Sequence, residues 1–429
     1  MKWSRSLVIG AVGLTLIVAG CSSGGDGGSD SADGSIKVWT HVNKSFNKAY
    51  QTLADSYMAD HPDVSITFDT FDYDTYIQTL QTSLPAGTEA DVLQMFGSWT
   101  CSYSDNLSTV PSNVTTVSKA DKEFFAGPLG GYQCNDALYG LPQESNVEYG
   151  ATLVNRDMAE AAGVSLDGWD SFDEFKADAK KMTVTEDGEI TRAGYHFTTN
   201  DGIAYTFLSL ILQGGGSYQS ADGTFDFQTP EALAAINLMK SFVDDGIIDP
   251  TLFTDTANWV GDCYFTELCA MGLVGPWVVP EYATDFPDIA AVTQYVPLPT
   301  LESSKFAADS GWGLTVSENS PDQDVAWDFV NYVTQNADNA LQWNLSTGTL
   351  PALKANVQGD ARKELLADAD YLEPWLDLLD DAQYLGTLPD RDRLFYRVIV
   401  PNILDVLNGQ QSADAALAAI EDEANAIQE

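Results

Sequence analysis

Basic residues and histidine are scarce in this chain of 429 residues, and each shortage excludes a kind of partner or chemistry. Lys and Arg number 20 against 63 Asp and Glu, which gives a formal net charge of −43 at pH 7. Nucleic acids and anionic lipid surfaces repel so acidic a protein, and an anionic ligand such as a phosphate ester is disfavoured for the same reason. Only His41, His61 and His196 could act as imidazole bases. We interpret most of the acidity as an aid to solubility at the cell surface.

Sequence motifs for catalysis and metal binding are also missing. The chain has no Gly-x-Ser-x-Gly elbow, no phosphate-binding P-loop and no His-Glu-x-x-His zinc motif. Asp69, Asp72 and Asp74 lie close together and residues 222–226 look like a turn, but neither has the spacing of an EF-hand. Because carboxylates are so abundant, a glycosidase-like pair could always be imagined and carries no information. We therefore predict a protein that is not an enzyme and that uses no cofactor or metal.

The N-terminus predicts export and attachment to a membrane. Lys2 and Arg5 precede an apolar run at residues 7–19, which is too short and too rich in Gly for a spanning helix. The run ends in Val-Ala-Gly followed at once by Cys21, which predicts a signal peptide over residues 1–20. This arrangement resembles a bacterial lipobox, in which the cysteine becomes the lipidated N-terminus. An ordinary secretion signal with a chance cysteine is the alternative.

The segment after Cys21 predicts a flexible tether. Residues 22–35 are almost all Ser, Gly, Asp and Ala. Such a composition cannot bury a core and behaves as a flexible chain. Residues 21–35 are therefore expected to link a lipid anchor to a folded body on the outer face of the bacterial cytoplasmic membrane.

Four cysteines remain beyond the predicted anchor, and an even number outside the cytoplasm indicates disulfides. Four cysteines allow three pairings, of which we favour Cys101–Cys134 and Cys263–Cys269 because each pair is local in sequence. A zinc site is the alternative, but the spacings do not match zinc-finger patterns and histidine is scarce.

The order of predicted elements after the tether indicates an α/β fold. Alternating apolar residues predict strands over residues 36–39, 64–69 and 91–96, and helical periodicity predicts helices over residues 47–60 and 73–84. Strands and helices that alternate at this spacing predict parallel βαβ units.

Later helices have clear start sequences. Ser171 begins a capping box that Glu174 completes. Thr229 and Ser320 each precede a proline at an expected first helical position, and Ser412 precedes the last predicted helix. No repeat of 20–50 residues and no obvious linker divides the body. A long α/β body without a linker predicts two lobes that are joined by chain crossings.

An ordered set of short segments runs through the body from about Ile36 to the C-terminus. The segments are YGLP at 139–142, VNRD at 154–157, MGLVGPW at 271–277, GWGLTV at 311–316, AWDFV at 326–330 and GTLP at 348–351. In their kind and order they resemble the family 1 extracellular solute-binding proteins of the maltose-binding-protein-like type, which serve sugar ABC importers.

The resemblance implies a periplasmic-binding-protein type II fold, in which two α/β lobes enclose a ligand cleft. Each lobe would be a mostly parallel sheet flanked by helices and would be discontinuous in sequence. The implied lobes are residues 36–147 plus 299–345 at the N-terminal side and residues 148–298 plus 346–429 at the C-terminal side. The chain crossings are therefore expected near Glu148, Leu298 and Ser346.

Ligand positions of the family carry over where the local match permits. Counting from Trp39 places the polar pair after the first strand on Asn43 and Lys44, although the family commonly has an acidic residue first. The other positions that the resemblance implies are Glu144, Glu148, Asp201, Tyr205, Trp277 and Tyr396. Further candidates are Phe96 and Trp99 after the third predicted strand, together with Trp312, Tyr103 and Arg391. Trp312 fits either the core or a ligand-facing surface.

These residue types suit a sugar, because flat aromatic rings stack on its C–H faces while carboxylates and amides bind its hydroxyls. We therefore predict extracellular capture of a carbohydrate, an oligosaccharide, by a monomer that closes its lobes and delivers the ligand to ABC transporter permease subunits. Contact with the membrane would occur through the lipid anchor only. The same fold binding a cationic, non-sugar solute is the alternative, and a secreted glycoside hydrolase is a weaker one.

Overall fold

The computed structural model describes residues 34–197, 201–220, 222–248, 260–367, 369–386, 388 and 390–428. The predicted signal peptide, Cys21 and nearly all of the predicted tether lie outside these residues. No helix within the described ranges combines the length and the apolar character that crossing a bilayer requires.

Strands and helices alternate along most of the chain. The strands are β1 (Ser35–His41), β2 (Ser65–Phe71), β3 (Val92–Phe96), β4 (Gln133–Cys134), β5 (Ala137–Leu138), β6 (Gly140–Pro142), β7 (Glu144–Ser145), β8 (Ala151–Asn155), β9 (Val184–Glu186), β10 (Glu189–Arg192), β11 (Met271–Gly272), β12 (Thr293–Pro297), β13 (Phe306–Ala308), β14 (Trp312–Val316), β15 (Leu350–Pro351) and β16 (Ala382–Tyr384). The helices are α1 (Lys44–Asp60), α2 (Tyr73–Ser83), α3 (Gly97–Thr100), α4 (Val117–Glu123), α5 (Ala126–Gly130), α6 (Arg156–Ala162), α7 (Phe172–Met182), α8 (Asp201–Gln213), α9 (Pro230–Asp244), α10 (Val260–Phe265), α11 (Val278–Tyr282), α12 (Pro287–Ala291), α13 (Gln323–Thr334), α14 (Ala337–Thr347), α15 (Gly359–Ala367), α16 (Glu373–Leu378), α17 (Arg391–Arg393), α18 (Val400–Leu407) and α19 (Ala413–Gln428). Short 3₁₀ segments cover Cys101–Asn106, Lys354–Val357 and Asp370–Leu372, and a π-helix covers Leu394–Ile399.

The first sheet confirms the predicted βαβ start of the fold. Its strand order is β2-β1-β3-β14-β6, and β1 pairs in parallel with both β2 and β3. α1 buries Tyr50, Leu53 and Tyr57 on one face, in agreement with the helix predicted over residues 47–60. β14 pairs antiparallel with β3 and with β6. A late part of the chain therefore completes the sheet that the N-terminal part begins.

Three of the four predicted helix starts are confirmed. Ser171, Thr229 and Ser412 each accept a hydrogen bond from the backbone N–H three residues later. The fourth start is wrong by two residues, because α13 is capped by Asp322 and not by Ser320. Ser320 instead donates its hydroxyl to the carboxylate that precedes β3, so it ties the approach of α13 to the sheet.

The second sheet, β11-β8-β12, is antiparallel in its named strands, which differs from the expected mostly parallel arrangement. β8 leaves the junction with the first sheet and β12 returns to it, so Ala151 lies opposite Pro297 in the register. Two paired strands that share a junction in this way must run in opposite directions. Isolated parallel bridges at Ala193–Cys269 and His196–Gly272 extend this sheet at the β11 side.

Two hydrophobic clusters define two lobes. In the first lobe, α1, α2 and α13 pack on the first sheet, and Trp327 and Trp343 are buried among them. In the second lobe, α8, α9, α18 and α19 pack with β8 and β12, and Trp375 is fully buried. Each cluster removes its own apolar surface from water, so each lobe has its own core.

The lobes are joined where several strands pass between them. β7 pairs with β15, and Asn146 forms an isolated bridge with Asp309. Leu298 and Phe306–Ala308 pack in the second cluster, whereas Trp312 packs in the first. The boundaries near Glu148, Leu298 and Ser346 stay predictions.

Gly311 lies at this junction in the left-handed region of the backbone, with φ of 72°. A Cβ atom at this position would lie 3.1 Å from Cγ of Glu144 and from the backbone of Asn146. Glycine therefore permits both the backbone turn and the close approach of two crossing segments.

The cysteines differ in their state. Cys101 and Cys134 form a disulfide in the structure, with the sulfur atoms 2.06 Å apart. Cys263 and Cys269 are buried thiols, so the structure differs from the second predicted bridge. Burial raises the pKa of the Cys269 thiol well above its usual range, and a hydrogen bond with Cys263 adds to the rise. A thiol that stays protonated is a poor nucleophile for forming a disulfide.

Candidate functional site

Aromatic side chains gather at the edge of the first sheet where β3 ends and β14 begins. The register pairs Trp312 with Phe96, and their ring centroids lie 5.1 Å apart. α3 follows β3 directly and places Trp99 5.5 Å from Trp312. His41 at the end of β1 stacks on Trp312 at a centroid distance of 4.3 Å, and Tyr73 packs edge-on against Trp312 at 6.3 Å. We call these five residues the aromatic cluster, which brings together three candidates from the sequence.

His41 contributes to this cluster as an uncharged ring. Its Nδ1 lies 2.9 Å from Oε1 of Gln94, and its backbone N–H donates to the same oxygen. Burial lowers the pKa of His41 to about 4, although the hydrogen bond with Gln94 opposes this change. The ring is therefore neutral at pH 7 and presents a flat face to Trp312.

Glu144 lies behind the aromatic cluster on β7. Its Oε1 accepts the backbone N–H of Trp312 at 3.2 Å, so it holds the start of β14. Burial raises the pKa of Glu144 to about 8, and the charge of Glu148 contributes to the rise. At neutral pH most of this carboxyl is therefore protonated and can donate as well as accept a hydrogen bond.

Glu148 and Trp277, two further candidates, lie in direct contact in the second lobe. Oε1 of Glu148 accepts the indole N–H of Trp277 at 2.8 Å, and Oε2 accepts the backbone N–H of Gly275 at 2.8 Å. Glu148 is buried, whereas Trp277 is partly exposed. The carboxylate therefore orients the tryptophan and the turn before it.

A buried ion pair organises the second lobe beside the junction. Nε of Arg391 lies 3.2 Å from Oδ2 of Asp309, and these side chains are 4% and 0% exposed. Tyr205 donates to Asp309 at 3.1 Å and accepts from Nη2 of Arg391 at 3.0 Å. Nη1 of Arg391 bonds Asp392 at 2.9 Å and the hydroxyl of Tyr396 at 3.3 Å. We call these five residues the Arg391 network.

A cavity of about 180 Å³ lies between the two lobes. It is lined by Ile77, Leu80, Gln81, Ser98, Trp99, Ser102, Tyr103, Leu388, Asp390, Arg391 and Asp392. The residues of α2, α3 and the 3₁₀ segment after α3 come from the first lobe, and Leu388 and Asp390–Asp392 belong to the second-lobe side. The cavity therefore joins the aromatic cluster, through Trp99, to the Arg391 network.

The remaining candidates take other positions. The side-chain oxygen of Asn43 caps α1 by accepting two backbone N–H bonds, which gives it a structural role. Lys44 is exposed on the first turn of α1. The side chain of Asp201 lies outside the described part of the structure. Trp277 and Glu148 are not among the residues that line the cavity.

Sequence analysis missed several polar residues of this region, among them Ser98, Asp309, Asp390 and Asp392. Asp309 lies just before the GWGLTV segment, but nothing in the sequence indicates its ion pair with a residue 82 positions later in the chain, at Arg391. The aspartates at 390 and 392 are two among 63 acidic residues, so composition alone cannot distinguish them.

The chemistry that this region offers is noncovalent. The cavity presents aromatic faces, an amide, hydroxyls and carboxylate oxygens. Within the described ranges, no group of three or more His, Cys, Asp or Glu side chains is arranged to hold a metal ion. A polar ring-shaped solute matches this combination of walls.

Comparisons with known proteins give a family and an architecture. Residues 43–340 match the family described as bacterial extracellular solute-binding protein. A binding protein of Brucella abortus (strain 2308) is 24% identical over 431 residues, which cover 99% of this chain and 98% of the relative.

Two solved structures are similar over nearly their whole length. The cyclic alpha-maltosyl-1,6-maltose binding protein of Arthrobacter globiformis has a TM-score of 0.77 and 21% identity, covering 92% of this chain and 98% of that chain. The sugar-binding protein MalE of Xanthomonas citri has a TM-score of 0.75 and 18% identity, covering 92% and 97%. These likenesses confirm the two-lobed α/β fold. Because the family match extends over residues 43–340, well over half of the chain, this protein belongs to the bacterial extracellular solute-binding protein family.

Proposed function

We propose that this protein captures a carbohydrate, an oligosaccharide, outside the cell and delivers it to a membrane ABC importer. The family is one of extracellular solute binding, and both similar solved proteins bind sugars according to their names. Kinship of this degree supports the fold and the class of function, so the argument for a sugar depends on the chemistry of the cavity.

The observation that carries the proposal is the composition of the cavity walls. Trp99 and Tyr103 provide aromatic surface from the first lobe, and Asp390 and Asp392 provide carboxylates from the second-lobe side. A sugar ring has an apolar face of C–H groups and a rim of hydroxyls, so it can satisfy both kinds of wall at once. A ligand without hydroxyls would not donate to these carboxylate oxygens and would bind more weakly.

Closure of the lobes is the proposed means of holding the ligand. A solute in the cavity would contact α3 from one lobe and residues 390–392 from the other. A ligand that makes both sets of contacts only in the closed form shifts the population toward that form. Rotation would occur at the crossing segments, which include β7, β15 and residues 309–311.

We further propose that the protein is secreted and held on the outer face of the bacterial cytoplasmic membrane through lipidated Cys21. Residues 21–35 would act as the tether, and a monomer would meet the permease subunits. The disulfide between Cys101 and Cys134 supports an oxidising compartment. Mass spectrometry of the native protein tests this, because it would show removal of residues 1–20, a lipid mass on Cys21 and the loss of two hydrogens at the Cys101–Cys134 pair.

A cationic solute is the second candidate. Three carboxylates, of Asp309, Asp390 and Asp392, lie in or beside the cavity against the single guanidinium of Arg391. Aromatic faces also attract cations. A catalytic role is not part of the proposal, and product formed from an oligosaccharide during long incubation would contradict it.

Calorimetric titration of the purified protein tests the proposal. The titrants are starch, plant and milk oligosaccharides, with a polyamine panel for the second candidate. One-to-one binding of an oligosaccharide at micromolar affinity or tighter, without turnover, is the expected result. Absence of binding to every glycan in the panel would contradict the sugar proposal, and binding of a polyamine alone would favour the second candidate.

A further inference from the structure

The charges around the cavity specify which sugars it accepts. We propose that Asp392, with Asp390, makes the cavity selective for uncharged sugar rings, by accepting hydrogen bonds from sugar hydroxyls and by repelling sugars that carry a carboxylate or a sulfate. This inference rests on the proposed function and goes beyond it by naming the ligand class and a specificity-determining residue.

Asp392 is held in position for this role. Its Oδ1 accepts from Nη1 of Arg391 at 2.9 Å, and its side chain is 38% exposed at the cavity wall. A carboxylate has acceptor sites on both oxygens, so the bond to Arg391 fixes the group and leaves Oδ2 able to accept from a ligand. Because a charged acceptor strengthens a hydrogen bond, a hydroxyl donor gains more here than at a neutral group.

Arg391 is already committed to partners within the protein. Its three guanidinium nitrogens are already engaged: Nε with Asp309, Nη1 with Asp392 and Tyr396, and Nη2 with Tyr205. The buried Asp309 carboxylate balances its charge. The two remaining carboxylates, of Asp390 and Asp392, therefore leave the second-lobe wall negative.

Ser98 provides an independent sign that this cavity takes a polar ligand. Its side chain is 5% exposed, and its hydroxyl oxygen is buried without a hydrogen-bond partner in the structure. Ser98 lines the same cavity as Asp392. A buried hydroxyl without a partner costs free energy, which a ligand hydroxyl can recover by pairing with it.

Asp390 faces the aromatic wall from the other side. Its Oδ1 accepts the backbone N–H of Arg393 at 3.1 Å, which fixes the turn that carries residues 390–392. Burial raises the pKa of the Tyr103 hydroxyl, and the charge of Asp390 adds to the rise. Tyr103 and Asp390 both line the cavity, one from each side.

An anionic sugar would place its charge against the carboxylates of Asp390 and Asp392, while the nearby guanidinium of Arg391 is shared with the buried carboxylate of Asp309. Like charges in contact at a desolvated site are strongly unfavourable, and this acts as a barrier against the wrong partner. The net charge of −43 adds a repulsion at long range, but salt screens it, whereas the contact term persists at high salt.

Calorimetry with matched sugar pairs tests this inference. Each neutral sugar is compared with its counterpart oxidised to a uronate at C6. The neutral sugars are maltotriose, cellotriose, galactotriose and any panel glycan that binds. All titrations use 0.5 M salt to suppress long-range repulsion. We expect at least tenfold weaker binding of the uronate. In the D392N variant, affinity for the neutral sugar should fall roughly tenfold, and the preference for the neutral sugar over the uronate should fall several-fold. In the S98A variant, affinity for both sugars should fall several-fold without a change in this preference.

D173N is the matched control, because it removes the same charge at a side chain that is 97% exposed and remote from the cavity lining. Equal binding of neutral sugar and uronate by the unsubstituted protein would overturn the inference and leave the proposed function standing. An unchanged preference in folded D392N would also overturn it. If D392N fails to fold, unchanged affinity of S98A for the neutral sugar decides against the cavity as the site. Binding of no sugar at all would overturn both proposals.

Discussion

The two walls of the cavity hold their side chains by different physical means. In the aromatic cluster, rings pack on one another at centroid distances of 4.3–6.3 Å, and dispersion and burial fix their positions. In the Arg391 network, one buried ion pair and a few directed hydrogen bonds fix the side-chain positions. Packing of several rings is redundant, whereas each member of a buried polar network depends on its partners. Substitutions should therefore cost much more in the network than in the cluster.

Trp277 is held both by packing against the second hydrophobic cluster and by a hydrogen bond to a buried charged group. It is an aromatic side chain, but a buried carboxylate, Glu148, fixes its indole N–H at 2.8 Å. It should therefore behave more like a member of a polar network than like a ring of the aromatic cluster.

The largest effect is expected for D309N. The amide removes the negative charge that balances Arg391 at a site where both side chains are almost fully buried. Because breaking a buried pair leaves a charge uncompensated, the free energy of unfolding should fall by about 3 kcal/mol. Urea unfolding of the variant measures this loss. D173N, at an exposed pair, should match the unsubstituted protein, and an equally small effect for D309N would refute the contrast.

The next effect is expected for W277A on ligand binding. Trp277 does not line the cavity between the lobes, but it is partly exposed and the family resemblance assigns it a stacking role. The substitution would remove that face from an oligosaccharide that extends beyond the cavity, and it leaves the buried carboxylate of Glu148 without the indole donor. Affinity for an oligosaccharide should fall by roughly 100-fold, as at a binding hot spot. Titration of W277A and W277F against the ligand found in the glycan panel measures it. A loss restricted to sugars, with binding of a cationic solute only weakened, would separate the two candidate functions.

A smaller effect is expected for W99A. Trp99 lines the cavity, but Phe96 and Trp312 lie within 5.7 Å and 5.5 Å of its ring and can still cover part of the ligand face. The loss of affinity should be about tenfold or less, because packing of the neighbouring aromatic rings persists. The same titration compares it with W277A. If W99A proved more damaging than W277A, the cluster would not be redundant.

The last effect depends on pH and is expected for E144Q. Burial raises the pKa of Glu144 from 4.5 to about 8, so the folded state binds a proton that the unfolded state loses. Stability from this group is complete below pH 4.5 and is lost as pH rises toward 8. E144Q should remove this dependence of stability on pH. Between pH 5 and pH 8 the melting temperature of the unsubstituted protein should therefore fall by a few degrees relative to that of E144Q. Parallel melting curves across this range would show that Glu144 ionises normally.

Much of the fold could be predicted from local patterns. The first strands, α1 and most helix starts follow from apolar periodicity and capping residues, which act over a few positions in the chain. The antiparallel pairing of β8 with β12 could not be predicted in this way, because it depends on where the chain crosses between lobes. The thiol state of Cys263 and Cys269 could not be predicted from local patterns either, because it depends on their surroundings in the fold.

The candidate site shows the same division. Residue types and order indicated Trp99, Trp277, Glu148, Tyr205 and Arg391, and the structure places Trp99 and Arg391 in one cavity and Glu148 against Trp277. The function of Asn43 as a helix cap could have been read from its position before α1, where a side-chain oxygen competes for the first free N–H groups.

The sequence by itself determined the α/β character, the strong acidity and the presence of aromatic and acidic residues suited to a polar ring, since these depend on composition and short-range order. Only the tertiary structure decided which of the 63 acidic residues matter. Asp390 and Asp392 flank Arg391 in the sequence, whereas Asp309 becomes its neighbour only because β14 returns to the first sheet while the C-terminal helices complete the second lobe. Charge pairing and burial are properties of distance in space, and distance along the chain does not determine them.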